Sequence, residues 1–116
     1  MHELSITENI LTIAVKHANK AQANQITNIY LVIGKLSSIV DDSVQFYWDL
    51  ISKNTKAEGA SLHFRRLPII IKCNQCSHTY SPQGTDMVCP KCNSEKIIIV
   101  QGDEFYLEAI DIDKTG

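Results

Sequence analysis

Residues 73–92 read Cys73-Asn74-Gln75-Cys76, then twelve further residues, then Cys89-Pro90-Lys91-Cys92. These four are all of the cysteines in the 116-residue chain. Two residues between a pair of thiols allow one tight turn to point both sulfurs at the same ion. Two such turns supply the closed tetrahedral Cys₄ set that Zn²⁺ prefers. The sequence therefore predicts a structural zinc site with these ligands: Cys73, Cys76, Cys89 and Cys92.

The residues beside the cysteines agree with this prediction. Pro90 fixes φ inside the second turn. Asn93 follows the last cysteine, where a left-handed backbone is often needed, and Asn tolerates that conformation well. His78, two residues after Cys76, is either an alternative zinc ligand or a solvated residue beside the site.

Two other uses of four cysteines fit the sequence less well. A disulfide framework is expected of a small secreted chain, but this sequence starts at Met1 without a signal segment. A redox-active pair usually lies at the start of a helix, whereas these two pairs lie in a helix-poor stretch. We therefore expect reduced, metal-binding thiols in a soluble, cytoplasmic protein.

Charge argues against the commonest alternative function of a zinc ribbon. The chain has 11 Lys and Arg against 13 Asp and Glu, a net charge of −2, and nucleic-acid binding needs a basic face. A zinc or thiol enzyme is a third alternative, but a closed Cys₄ site leaves no position for a reactive water. No apolar run approaches the roughly 20 residues of a membrane span.

The first half of the chain predicts a helix followed by a strand. Apolar residues recur at three- and four-residue spacing over residues 4–22, which predicts an amphipathic helix. Ser5 and Glu8 have the spacing of a capping box at its start. Residues 26–33 are rich in Ile, Leu, Val and Tyr and end at Gly34, which predicts a strand.

A second helix is predicted to begin with Asp41 or Asp42 as its N-cap. Its buried side is expected to contain Val44, Tyr47 or Trp48, and Ile51. Phe46, Tyr47 and Trp48 are consecutive, so one helix face cannot bury all three rings. An exposed ring then either rims the core or belongs to a partner surface.

The second half of the chain predicts strands around the cysteines. One strand starts near Leu62, with His63 on its exposed face, and residues 69–72 carry it to the first cysteine pair. Residues 97–100 are predicted to pair back on 69–72. A last strand follows the turn at Gly102, with Phe105, Leu107 and Ala109 on one face and Tyr106, Glu108 and Ile110 on the other.

Together these elements predict an α+β fold in which two helices pack on a small, about three-stranded β-sheet, with an inserted zinc ribbon. We expect an α+β domain of residues 1–68 plus 101–116 and a zinc-ribbon domain of residues 69–100.

The sequence Met1-His2-Glu3 carries a second potential metal site. A terminal amine, the next backbone amide and the imidazole of His2 can form fused chelate rings. Such tetragonal, nitrogen-rich geometry favours Ni²⁺ or Cu²⁺. By spacing alone, a histidine at position 2 is more often just part of a frayed terminus.

Several motifs together resemble one family. They are Met1-His2-Glu3 opening onto an amphipathic helix, Gly34 with Ser37 before the second helix, the two cysteine pairs, and Gln101-Gly102 before an acidic residue. The pattern is similar to the HypA/HybF family of hydrogenase-maturation nickel metallochaperones, and the resemblance covers essentially the whole chain.

The resemblance implies a delivery protein without catalysis of its own. It implies nickel bound through His2, with Glu3 and Asp41 as accessory residues, and zinc held by the four cysteines. It further implies delivery to the large subunit of [NiFe]-hydrogenase, in some members service to urease maturation, a GTPase partner named HypB, and a monomer or homodimer. Asn93 stands where some members have a second histidine, which puts in doubt any zinc-site rearrangement that needs two histidines.

Overall fold

The computed structural model describes residues 3–82 and 87–114. In these residues two helices and two three-stranded sheets, β2-β1-β6 and β4-β3-β5, are found. The elements in chain order are α1 (Glu3–Lys20), β1 (Gln25–Gly34), α2 (Asp41–Ile51), β2 (Ser61–Leu67), β3 (Ile70–Cys73), β4 (Thr79–Tyr80), β5 (Ile97–Gln101) and β6 (Phe105–Asp113). The predicted α+β class, with two helices, a three-stranded sheet and a separate cysteine-bearing module, is confirmed.

The chain forms two compact units. The first runs through Val32, takes in Ser38–Arg65 and resumes at Tyr106, so it contains both helices and most of the sheet β2-β1-β6. The second comprises Ile33–Ser37 and Arg66–Phe105, and it contains the sheet β4-β3-β5 with all four cysteines. Neither helix of the described part is long and apolar enough to span a membrane.

The first helix buries part of the predicted apolar stripe, while Leu4 and Ile13 are exposed. It buries Thr7, Ile10, Ala14 and Ala18, and the hydroxyl of Thr7 donates to the carbonyl of Glu3 at 2.6 Å, so its polar atom is satisfied. The capping-box prediction is wrong, because Ser5 lies inside α1 rather than at its cap. At the other end Gln22 is left-handed, with φ of 58°. The amide of Ala23 donates to the carbonyl of Ala18, as in a Schellman motif.

The second helix begins differently from the prediction. Val40 is its N-cap and makes no side-chain capping bond, so neither aspartate is the cap. Asp41 and Asp42 instead lie in the first turn, where the helix dipole favours negative charge. Of the three consecutive rings, Trp48 is buried and Phe46 is 61% exposed. The side chain with the largest apolar area therefore fills the core.

The central strand β1 carries the core on one face and a polar network on the other. Ile29, Leu31 and Ile33 are fully buried. On the other face the hydroxyl of Tyr30 donates to the carboxylate of Asp111 at 2.6 Å. This hydrogen bond, with burial and the carboxylate charge, raises the pKa of Tyr30 above its ordinary value.

Two further side-chain contacts, a ring stack and an ion pair, extend this network across the sheet. His63 is exposed, as predicted, and its ring stacks on Tyr30 with centroids 4.9 Å apart. Arg65 of β2 forms an ion pair with Glu108 of β6. Because Glu108 and Asp111 both join this face, strict alternation along β6 is interrupted between them. The predicted face assignment is wrong there: Ala109 is exposed and Ile110 is half-buried.

Candidate metal centre

The four cysteine sulfurs converge in the second unit. All four Sγ atoms lie within 4.8 Å of one another, with 3.5 Å between Cys73 and Cys92 and 3.6 Å between Cys76 and Cys89. A disulfide bond is about 2.0 Å long, so these are free thiols. Bonds of about 2.3 Å to a tetrahedral zinc ion place sulfurs about 3.8 Å apart. The observed spacings fit such an ion, and the group is able to hold one metal.

Each cysteine pair lies in the same kind of turn. The amide of Ser77 donates to the carbonyl of Cys73 at 3.0 Å, and the amide of Asn93 donates to the carbonyl of Cys89 at 2.8 Å. Ser77 and Asn93 are both left-handed, with φ of 63° and 59°. The left-handed position of Asn93 was predicted, and the equivalent role of Ser77 was missed. Its signal in the sequence is the shared spacing, four residues after the first cysteine of each pair.

A second hydrogen bond closes each turn. The amide of Cys73 donates to the carbonyl of His78 at 2.9 Å, and the amide of Cys89 donates to the carbonyl of Ser94 at 3.1 Å. The two halves of the site are therefore built by the same backbone pattern. This repetition explains why Cys73 and Cys89 are both fully buried, while Cys76 is exposed like Cys92.

The sheet β4-β3-β5 anchors the first turn. Cys73 is the last residue of β3 and pairs with Ile97 of β5, and Lys72 pairs with Ile98. This confirms the predicted pairing of residues 97–100 with 69–72. Beyond the strand, the amide of Asn74 donates to the carbonyl of Lys96 at 2.8 Å. The backbone that carries Cys73 is thus fixed on both sides of the sulfur.

Hydrogen bonding separates the acidities of the thiols. The backbone N–H of Cys76, helped by that of Gln75 and opposed by burial, lowers the pKa of Cys73 to about 6. The backbone N–H of Ser94 favours the thiolate of Cys92, but hydrogen bonding to Cys73 and burial outweigh it and raise the pKa of Cys92 to about 12. Cys73 is therefore the more acidic thiol of this pair. Metal ions bind thiolates, so binding here is expected to release protons.

The ring of His78 lies outside the sulfur group. It stacks on Tyr80, with centroids 5.7 Å apart and planes 13° from parallel. Among residues 3–82 and 87–114, the four cysteines are the one group of three or more His, Cys, Asp or Glu side chains that could hold an ion. The described geometry accordingly presents His78 as a neighbour of the site.

The other predicted metal residues, His2, Glu3 and Asp41, lie in the first half of the sequence. His2 lies outside the described residues. Glu3 is the first residue of α1 and Asp41 is the first residue of α2, and both are half-buried. The two helices contact each other within the first unit. The structure thus describes the scaffold next to His2 and not the imidazole itself.

Comparison with known sequences gives a consistent result. Residues 1–112 match the family described as "Hydrogenase/urease nickel incorporation, metallochaperone, hypA". A protein of Dehalococcoides mccartyi named hydrogenase maturation factor HypA is 42% identical over 113 residues, which is 97% of this chain and 95% of that protein. A protein of the same name from Nostoc sp. is 38% identical over 99% of this chain and 98% of its own length.

Solved structures of similar fold carry the same family name. The solution structure of the Ni metallochaperone HypA from Helicobacter pylori has a TM-score of 0.72 and 26% sequence identity, covering 99% of this chain and 100% of the other. A structure described as the solution structure of HypA protein has a TM-score of 0.79 and 27% identity, covering 99% and 98% of the two chains.

Proposed function

Because the chain belongs to the HypA family of nickel-incorporation metallochaperones for hydrogenase maturation, we propose that it binds Ni²⁺ at its N-terminus through His2. The family match over residues 1–112 is the observation that carries this proposal. A member of this family is a metal carrier and not an enzyme.

The chemistry of the first residues supports nickel as the cargo. The terminal amine, the backbone amide and the His2 imidazole offer nitrogen ligands in fused rings, a set that suits a planar Ni²⁺ site. Glu3 is the first residue of α1, and its carbonyl accepts a hydrogen bond from the hydroxyl of Thr7. We propose Glu3 and Asp41 as accessory acidic residues at this site. Because Glu3 is already part of α1, recruiting its side chain would not require this residue's backbone to be ordered on binding.

The sulfur group supports a second, structural role for Zn²⁺. We propose that Cys73, Cys76, Cys89 and Cys92 hold zinc, since four thiolates suit this ion and leave no coordination position open. Two of the sulfurs are fully buried, and backbone hydrogen bonds fix the turns that carry them. When bound, zinc would supply folding free energy to a small unit whose own core is limited.

The two sites divide the work of selection and release. A carrier must bind its ion tightly enough to select it and loosely enough to surrender it. An open terminal site that a partner can approach meets this need, whereas a closed four-sulfur site does not. We propose residues 1–68 plus 101–116 as the nickel-binding domain and 69–100 as the zinc-ribbon domain.

The proposed client is the large subunit of [NiFe]-hydrogenase, with the GTPase HypB as a partner in the cytoplasm. The curated relatives are named hydrogenase maturation factors, which favours hydrogenase, and the family description includes urease. A net charge of −2 gives no support to nucleic acid as a partner.

A nickel titration of zinc-loaded protein tests the proposal. The native protein is compared with His2→Ala and with a protein that carries an N-terminal extension, because the extension removes the free amine and keeps the imidazole. His17→Ala serves as the matched control, since it removes an exposed imidazole from α1, away from the N-terminal motif. Only the native protein and the control should bind one Ni²⁺ with the absorption of a planar complex. Equal binding by all four proteins would place the nickel site elsewhere.

A further inference from the structure

The outward face of α2 has a composition that packing within the chain does not explain. The helix buries Val44 and Trp48 on one side. On the opposite side, where a surface helix normally carries polar residues, Phe46 is 61% exposed and Leu50 is 52% exposed. The two are four residues apart, so their side chains are neighbours on the helix surface.

The exposed phenyl ring contacts the ring of the next residue. Phe46 packs edge-to-face against the half-buried Tyr47, with ring centroids 5.4 Å apart and planes at 71°. An aromatic side chain has few rotatable bonds, so it loses little conformational entropy when a partner covers it. Aromatic residues of this kind contribute a large share of the free energy at protein interfaces.

Acidic residues flank the two apolar side chains. Asp42 and Asp49 are exposed and lie four residues before and three residues after Phe46, on the same side of the helix. Gln45 donates a hydrogen bond to Asp49 at 2.9 Å, and neither aspartate forms an ion pair within the described part of the chain. The last turn of α2 contains no basic residue, and Lys53 lies beyond its end.

This charge pattern selects the kind of partner. A second copy of the same surface would place aspartates opposite aspartates, and like charges across an interface are unfavourable. A partner with Lys or Arg on both sides of an apolar side chain would be complementary. Apolar anchors at four-residue spacing are also the pattern by which helices recognise one another.

We propose that the α2 stripe, formed by Asp42, Phe46, Asp49 and Leu50, is a docking surface for a basic amphipathic helix of another protein. Phe46 and Leu50 are the anchors, and the two aspartates select cationic flanks. The proposal goes beyond metal binding, because none of the four residues belongs to the sulfur group or to the N-terminal motif.

The test uses a synthetic helical peptide with leucines on one face and lysines beside them, titrated into isotope-labelled full-length zinc-loaded protein. Amide shifts should concentrate on α2, and salt should weaken binding because the flanking charges are exposed. A matched peptide with glutamates in place of the lysines should bind far more weakly. Phe46→Ala should weaken binding of the lysine peptide about ten-fold or more. Ile13→Ala truncates an exposed apolar residue of the other helix, α1, and should leave the affinity within about two-fold of that of the unchanged protein.

Four results of the peptide experiment would overturn the proposal. They are absence of binding by the lysine peptide, equal binding by the glutamate peptide, unchanged affinity in Phe46→Ala, and amide shifts outside α2. A homodimer that Phe46→Ala abolishes would likewise assign the stripe to a second copy. Circular dichroism and zinc content of each variant establish that the fold is retained, and since Phe46 is exposed, its truncation should not disturb the core.

Discussion

Replacing Gly34 by alanine should be among the most destabilising single-methyl changes in this protein. Gly34 ends β1 and meets the turn that follows β5. A Cβ added to it would lie 2.0 Å from both the carbonyl carbon and the oxygen of Gly102, and 2.5 Å from the amide nitrogen of Asp103. Non-bonded carbons normally approach to about 3.5–4.0 Å, so the two backbone segments must separate by roughly 1.5 Å.

The cost can be worked from the contacts that such a separation breaks. The amide of Gly34 donates to the carbonyl of Glu104 at 2.8 Å, and the amide of Leu36 donates to the carbonyl of Gly102 at 2.7 Å. Overpacking costs about 1–3 kcal/mol, and two lost hydrogen bonds add about 1 kcal/mol each. We therefore expect Gly34→Ala to lower the free energy of unfolding by about 3–5 kcal/mol.

Gly59 is the matched control, because an added Cβ there would strain the backbone conformation without meeting a neighbouring atom. Its φ is +82° and no atom lies within 4 Å of an added Cβ, so Gly59→Ala should cost only the left-handed strain of about 1–2 kcal/mol. Urea unfolding of the zinc-loaded proteins, followed by circular dichroism and by the fluorescence of the single tryptophan, Trp48, measures both values. A loss in Gly34→Ala no larger than that in Gly59→Ala would refute the close approach of Gly34 to Gly102.

Three further predictions concern the metal centre and the polar face of the sheet. Cys89→Ser removes a fully buried sulfur and should abolish stoichiometric zinc binding, as measured by native mass spectrometry; a variant that keeps one tightly held zinc would show that Cys89 is not a ligand. Asn93→Val should lower the free energy of unfolding in urea by about 1–2 kcal/mol, because the backbone at this position is left-handed. Asn93→Gly should be nearly neutral, and equal losses in the two variants would contradict that explanation. The hydrogen bond to Asp111 raises the pKa of Tyr30 above 10.0. The contribution of this hydrogen bond to stability should therefore be present below pH 10.0 and be lost as pH rises through the folded-state pKa. Ultraviolet titration of tyrosinate, with Tyr30→Phe as the reference, checks this, and a pKa at or below 10.0 would disprove it.

The parts of the fold that the sequence predicted depend on local pattern. The apolar stripe of α1 and the paired strands beside the cysteines follow from the spacing of residues close in the chain. The left-handed Asn93 was predictable for the same reason, because a Cys-x-x-Cys turn fixes its own backbone. The motif Cys73 to Cys92 was therefore a sound guide to the convergence of the sulfurs.

One error is local, whereas the other features that the sequence did not show depend on distant parts of the chain. Ser5 has capping-box spacing, but α1 begins before it. Ala109 leaves the expected face of β6 because Glu108 and Asp111 both bond across the sheet to the same side. Gly34 and Gly102 are far apart in sequence, and only the folded backbone shows that a Cβ on Gly34 would overlap Gly102.

We propose that the chain carries nickel in an exchangeable terminal site and zinc in a closed four-sulfur site. The most direct test loads the protein with one ion of each metal, adds a chelator and follows the two stoichiometries by native mass spectrometry. The account predicts that nickel leaves quickly, that zinc stays, and that His2→Ala never holds the nickel. Loss of both metals at the same rate, or retention of nickel after zinc has gone, would contradict it.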